Sequence, residues 1–375
     1  MGVDPKGVGM RRFSTAIPVH WGLVGGLVTM GVFLVFGRQF LGELNSPVVA
    51  VIAFLWLVPA ILGSAFSVVR HADILAHRLG EPYGTLILTL SVTIMEVSMI
   101  TAIMLTGPDN PTLARDTMFA VVMIVLGGLV GVSLLAGGLK YRIQEFNLEG
   151  ASAFISLIIP LSLLGMIMPN FTITTTTPTF SHLQAIVIAG VCFCAYAIFL
   201  AIQTIRHREF FAQEILSESK VELHTGNLKR HVILLVASLV PVVFLAEELA
   251  HVLEFGIRNY HMPHGVAGLI VAGLILAPEG MGGILAAARN QMQRSINLLL
   301  GSALATIALT IPSVLLIGLA THREIVLGLP GDDSVMLAVI LALCVTTFGR
   351  GRTNLLQGAI HLLVFVVWIV LLFEG

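Results

Sequence analysis

Long apolar runs separated by short polar breaks recur along almost the whole chain. Stretches such as Ala185 to Leu200 are continuously apolar, which argues against a membrane barrel built from alternating segments of about ten residues. Most runs approach roughly 20 residues, the length at which a helix crosses about 30 Å of hydrocarbon. The pattern predicts helices over residues 17–37, 47–69, 82–106, 117–139, 151–170, 182–206, 230–252, 265–290, 295–320, 333–349 and 353–373. The expected fold class is an all-α integral membrane protein with about 11 transmembrane helices.

Composition agrees with lipid as the surroundings. Of 375 residues, 57% are hydrophobic and 11% charged, whereas a soluble globular chain carries about 25% charged residues. With eleven spans, the N-terminal segment and the even-numbered loops lie on one side and hold sixteen of the twenty lysines and arginines. Among these are Arg11, Arg12, Arg70, Arg78, Lys140, Arg142, Lys229, Arg230, Arg289, Arg294, Arg350 and Arg352, against Arg38, Arg115, Arg258 and Arg323 on the other side. The positive-inside rule then sets the N-terminus in the cytoplasm and the C-terminus outside. Arg11 and Arg12 precede the first run as in a signal peptide, but the run is long and no small-residue cleavage site clearly follows, so it reads as a retained helix.

The net charge of -1 gives no sign of a nucleic-acid partner. Cys192, Cys194 and Cys344 all fall inside predicted helices, and their spacing matches neither a disulfide framework nor a zinc pattern. No HExxH, GxSxG, GxxxxGK[ST] or GxGxxG signature stands where it would have meaning, which weakens an intramembrane protease, a lipase or a nucleotide-driven pump. The expectation is a protein that is not an enzyme and uses no cofactor. If it transports, another ion's gradient drives it.

The one long hydrophilic connection, Arg206 to Arg230, mixes Arg206, Arg208, Lys220 and Lys229 with Glu209, Glu214, Glu218 and Glu222. It divides the chain into an N-terminal tail and extra helix over 1–46, a first five-helix repeat over 47–206, a cytoplasmic connecting loop over 207–229 and a second five-helix repeat over 230–375. Five spans per half mean that the second half enters the membrane from the opposite side, the arithmetic of an inverted repeat.

Two carboxylates lie deep in apolar runs, Glu96 in the second helix of the first repeat and Glu279 in the second helix of the other. A charge at the bilayer centre costs roughly 2.5 to 3.5 kcal/mol even on lenient scales, so intramembrane acids are functional candidates. Thr89, Thr93 and Glu96 are spaced i, i+4, i+7 and share one helical face. Pro278, directly before Glu279, removes a backbone donor and frees the carbonyl near Leu274, while Gly280, Gly282 and Gly283 permit close helix approach. A helix broken at Pro278 and Gly280 is expected, presenting carbonyl oxygens to a cavity. On the next helix Ser295, Ser302 and Thr306 form a second line of hydroxyls, and Gly301 to Thr306 has a counterpart in Gly127 to Ser133.

Carboxylates, hydroxyls and freed carbonyls suit a hard cation such as calcium, with its 6 to 8 oxygen ligands. The same acids can hold protons, which keep the empty site neutral, and an arriving cation expels them. A site that faces one side at a time and moves only when its charge is compensated performs antiport. Glu96 and Glu279 are thus the candidate metal and proton ligands. Thr89, Thr93, Ser302 and Thr306 come second, and inorganic cations, protons and the bilayer are the partners. His361, inside the last apolar run, is a packing residue by default and a candidate proton relay. Arg70, His71, Asp73, His77, Arg78 and Glu81 read either as a cytoplasmic gate or as a solvated loop, and Glu247, Glu248 and His251 as charges near the outer end of the seventh span.

Four segments carry a resemblance. Ser67 to Gly84 with Arg70, His71, Asp73, His77, Arg78, Gly80, Glu81 and Pro82, the run Ser91 to Ser98 around Glu96, Pro278-Glu279-Gly280 leading to Asn290, Gln291, Gln293 and Arg294, and Gly349 to Asn354 with His361 resemble the bacterial calcium (sodium, potassium)/proton antiporters of the calcium/cation antiporter superfamily. The resemblance spans nearly the whole chain apart from the N-terminal tail and the central loop. It implies two inverted five-helix repeats plus an extra N-terminal helix in the bacterial inner (plasma) membrane, exchange of cytoplasmic cations for external protons, and Glu96 and Glu279 as the acids of the two ion-binding repeats.

The better-known calcium/proton exchangers of that superfamily carry an Asn three residues before each glutamate and an amide in the following helix. Here those positions are Thr93, Leu276, Val132 and Ala305. With fewer fixed oxygens, a mainly monovalent sodium or potassium/proton antiporter is the alternative reading. A passive cation channel and a membrane-embedded acid–base enzyme are the readings from other classes.

Overall fold

The computed structural model describes residues 19–41, 46–79, 83–106, 111–206, 208–211 and 228–374. The N-terminal tail, most of the central loop with His224, and Glu81 lie outside them. The described chain is nearly all helix: α1 Val19–Leu41, α2 Pro47–Leu79, α3 Tyr83–Thr106, α4 Leu113–Tyr141, α5 Leu148–Phe171, α6 His182–Arg206, α7 Arg208–Phe211, α8 Leu228–Tyr260, α9 His264–Ala287, α10 Met292–Thr321, α11 Gly331–Phe348 and α12 Leu355–Glu374. Among the described residues, nine helices are long and apolar enough to cross a membrane, and shorter apolar stretches at Trp21–Gly37 and Thr89–Met104 lie in α1 and α3.

The apolar runs therefore become helices of nearly the expected extent. Local chemistry marks some of their starts. Ser181 and Gln184 form a reciprocal capping box that opens α6, and the Asn147 side chain accepts from the Gly150 N–H to open α5. Two ends differ from expectation. α2 runs on to Leu79, so Arg70 to Arg78 belong to a helix rather than a loop, and His71 is buried. α8 continues to Tyr260, which leaves Glu247 and Glu248 well inside it. Polar side chains extend these helices beyond their apolar stretch because helical backbone bonds persist into the aqueous layer.

α4 and α10 are the most enclosed of the long helices, while α12 and α6 are the least. Leu183, Ile186, Val187 and Ile198 of α6 and Leu363, Val366 and Val370 of α12 stay exposed. That apolar outer surface is what lipid requires, and the backbone's polar groups are satisfied inside each helix. α2 packs along α8, with α1 laid against both. Small residues allow the approach: a Cβ at Gly22 would lie 2.2 Å from the Gly63 carbonyl oxygen.

The helix break expected at Pro278 and Gly280 is absent. α9 passes through Pro278 without interruption, as α2, α5 and α8 pass through Pro59, Pro160 and Pro241. Proline deletes one donor, but unwinding would expose several more groups with no water to receive them. Irregularity appears elsewhere, as π-helical segments at Met123–Leu129 in α4, Leu163–Ile167 in α5, Ile202–Arg206 in α6 and Thr306–Thr310 in α10. Two of them lie in the helices that follow the glutamate-bearing ones. Such wide turns are frequent at functional sites.

A two-stranded ribbon joins distant parts of the chain. β1, Ile143–Glu145, pairs antiparallel with β2, Arg352–Asn354. Gln144, buried at its centre, donates through Nε2 to the Ala287 carbonyl and to Asn290 Oδ1, each at 3.0 Å. The ribbon thereby holds the end of α9.

Candidate functional site

Hydroxyls in these helices usually turn back on their own backbone. Ser91, Ser162, Thr204, Ser238 and Ser313 each donate to the carbonyl four residues earlier. Thr306 does not. At the start of the α10 π segment, it donates across to Glu96 Oε2 of α3 at 3.0 Å. Thr310, four residues on, lies against the same carboxylate.

Glu96 is 2% exposed, and its second oxygen, Oε1, is covered with no hydrogen-bond partner. Glu279 of α9 faces Ser302 and keeps part of its surface accessible, while its Oε2 is covered and unpartnered. The two carboxylates are near enough to act on each other electrostatically. Thr310 Oγ1 and Ser133 Oγ are also buried without partners. A buried polar atom left unpaired costs about 1–3 kcal/mol, more when charged. Those on and beside the two acids, Glu96 Oε1, Glu279 Oε2 and Thr310 Oγ1, leave acceptor capacity that a proton or a cation can fill.

The other predicted residues are placed as follows. Thr93 is buried and Thr89 half-buried on the Glu96 helix, and Thr89 stands beside the Tyr196 hydroxyl of α6. Pro278 and Gly280 are buried in the unbroken α9. A Cβ at Gly280 would come 2.7 Å from Leu129 Cδ2 at the end of the α4 π segment, so the glycine brings that segment against the Glu279 helix.

His361 is fully buried. Its Nδ1 meets the Leu126 carbonyl at 2.6 Å, which can only accept, so Nδ1 carries the proton and Nε2 accepts from the Thr347 hydroxyl at 2.9 Å. Both ring nitrogens are thus engaged, tying the α4 π segment to α11 and α12.

Two residues near the acids escaped the sequence reading. Thr310 continues the line Ser295, Ser302, Thr306 by one more turn and was legible from that spacing. Tyr196, 6% exposed and within electrostatic reach of Glu279, sits in an otherwise apolar run whose pattern gives no hint of its direction. Among the described residues, no group of three or more His, Cys, Asp or Glu could hold a metal. Two carboxylates with hydroxyl neighbours suit a hard ion in passage more than a resident transition metal.

Comparison with known proteins agrees with this architecture. The profile of a family described as sodium/calcium exchanger protein matches residues 49–205 and 230–374. The chain is 43% identical over 333 residues to the sodium-potassium/proton antiporter ChaA of Escherichia coli (strain K12), covering 87% of this chain and 90% of that one. It is 24% identical over 251 residues to the Ca(2+)/H(+) antiporter ChaA of Bacillus subtilis (strain 168), covering 65% and 71%. The solved structure of native YfkE shares the fold with a TM-score of 0.73 at 19% identity, over 94% of this chain and 100% of that chain.

Proposed function

We propose that this chain, which belongs to the sodium/calcium exchanger family, is a secondary cation/proton antiporter in which Glu96 and Glu279 bind cation and protons in alternation. The observation that carries the reading is the pair of buried carboxylates on neighbouring helices, each with an unpartnered oxygen and a hydroxyl-bearing helix beside it.

The cycle follows from charge compensation. Two ionised carboxylates without a counter-ion are costly at membrane depth. Two protons or one divalent cation neutralise both, and a monovalent cation with one proton does the same. Thr306, Thr310 and Ser302 offer hydroxyl oxygens to the ion and hydroxyl protons to a carboxylate, so they serve either state. A site that changes sides only when neutral couples the two flows. The proposed direction is cation export against proton uptake, with the N-terminus cytoplasmic, the C-terminus external, and two inverted five-helix repeats over 47–206 and 230–375 in a bacterial inner membrane.

A mainly sodium or potassium/proton exchange is the second reading. It is favoured by the likeness to the Escherichia coli sodium-potassium/proton antiporter and by Leu276, Val132 and Ala305 at positions where the resemblance leads one to expect fixed amide oxygens. Fewer rigid ligands relax the demand for a high coordination number.

The test is proton flux in reconstituted vesicles with calcium, sodium and potassium compared side by side. An antiporter driven by an imposed pH gradient accumulates its cation above equilibrium, and a channel does not. Glu96→Gln and Glu279→Gln are each expected to abolish exchange. Vigorous exchange in both variants overturns the mechanism.

A further inference from the structure

The run Gly349 to Asn354 carries two arginines that the carboxylate site leaves unused. It turns the chain from α11 into β2 through Gly351, at a φ of 64° that favours glycine. Strand alternation buries Gln144 and Thr353 and turns Ile143, Glu145, Arg352 and Asn354 outward. Beside the ribbon, Ile143, Arg350, Arg352, Thr353, Asn354 and Gln357 line a hollow of about 210 Å³. Asn354 and Gln357 each donate a backbone N–H to the other's side chain, which fixes that wall at the start of α12.

The surroundings are basic. Lys140, Arg142, Arg289, Arg294, Arg350 and Arg352 are exposed around the ribbon and the α9–α10 junction that it grips, against Glu145 and Glu149. Arg352 meets Glu145 at 3.3 Å with both side chains open to water. Such a pair holds weakly and yields to a phosphate, which accepts from a guanidinium in bidentate fashion. An apolar stripe leads away from the hollow. Leu356, Ile360, Leu363, Val367 and Val370, spaced i, i+4, i+7, i+11 and i+14, share one face of α12 and all stay exposed.

We propose that the ribbon is a headgroup site for an anionic phospholipid such as phosphatidylglycerol, with Arg350 and Arg352 holding the phosphate and the Leu356 to Val370 face carrying an acyl chain. A negative head on an apolar tail complements a basic hollow above a lipid-facing stripe. A zwitterionic lipid brings an ammonium group into the same basic surroundings and is disfavoured. The positive-inside rule places basic residues on this face in general, but it does not gather two of them in a hollow at the end of such a stripe. Gln144 of the same ribbon bonds the end of α9, so a bound lipid also steadies the Glu279 helix. The binding does not depend on the antiport reading.

The experiment is native mass spectrometry of tag-free, full-length protein in detergent, titrated with dioleoyl-phosphatidylglycerol. Dioleoyl-phosphatidylcholine, with the same chains, and soluble glycerol phosphate, with the same head chemistry, are titrated beside it. Thermal unfolding without lipid checks that each variant is folded. The wild type is expected to bind phosphatidylglycerol at least about tenfold more tightly than phosphatidylcholine, and Arg350→Gln/Arg352→Gln to lose at least that factor. Arg70→Gln/Arg230→Gln removes two exposed charges from the same proposed cytoplasmic face, on α2 and α8, and is expected to bind like the wild type. Glu145→Gln frees Arg352 and is expected to bind more tightly, a readout that stands even where the ribbon arginine variant does not fold. Equal affinity for the two lipids, or glycerol phosphate bound as tightly as phosphatidylglycerol, overturns the lipid assignment. Equal affinities of the two double variants, or no gain in Glu145→Gln, overturns the site.

Discussion

Replacing Thr306 with valine exchanges a hydroxyl for a methyl at constant shape, and both residues are β-branched, so the α10 backbone is undisturbed. What disappears is the donor to Glu96 Oε2 at 3.0 Å. Because Oε1 already lacks a partner, a carboxylate that is 2% exposed is then left with only the Thr310 hydroxyl beside it in the absence of an ion. A hydrogen bond to a charged group contributes roughly 1.5–3 kcal/mol. That loss falls on the ionised, cation-ready form of Glu96, which converts to a cation requirement about 10- to 150-fold higher at fixed pH. Exchange at saturating cation is retained, because the carboxylates remain. Raising the pH recovers part of the loss, since fewer protons then compete. The assay is cation-dependent proton flux in vesicles, reading the half-saturating concentration for Thr306→Val and for Thr306→Ser, which keeps the donor. An unchanged half-saturation in Thr306→Val, or identical behaviour of the two variants, refutes the assignment.

Other substitutions test the surrounding framework. His361→Ala removes two buried hydrogen bonds and leaves a cavity, so a loss of about 3 kcal/mol is expected. It is read as a lower unfolding temperature with exchange preserved in the folded fraction, whereas a stable but inactive protein supports the proton-relay reading. Gly280→Ala places a methyl 2.7 Å from Leu129 Cδ2, expected to cost about 1–3 kcal/mol and to be rescued by Leu129→Ala, which a double-mutant cycle in thermal unfolding measures. Gln144→Ala frees the end of α9 from the ribbon by removing the bonds to Ala287 and Asn290. Faster amide exchange at residues 287–290 checks this, and unchanged protection there contradicts it.

The helices were legible because lipid imposes one rule on every run, enough apolar residues to span and an internal partner for each backbone group. Their ends were less so, as α2 and α8 show, because a polar sequence beyond the hydrocarbon boundary can stay helical or not. Glu96, Glu279 and the spacing to Thr306 stood out as polar residues against an apolar background. The unbroken course through Pro278 did not, since a proline states which bond is missing but not whether neighbouring helices hold the rest in place. The π segments carry no residue signature at all in Met123–Leu129 or Thr306–Thr310. They arise from packing between helices distant in sequence. Tyr196 and the contact of His71 with His231, 160 residues apart, belong to the same class: their significance lies in what they meet.

The short ribbon between residues 143–145 and 352–354 has a consequence for biogenesis. Its strands are separated by about 200 residues of chain, so closing it carries the entropy of a very long loop. Every helix from α5 to α11 must be synthesised before its second strand exists. Ribbon closure is therefore a late event in assembly, a seal set on a finished bundle rather than a seed from which the bundle grows.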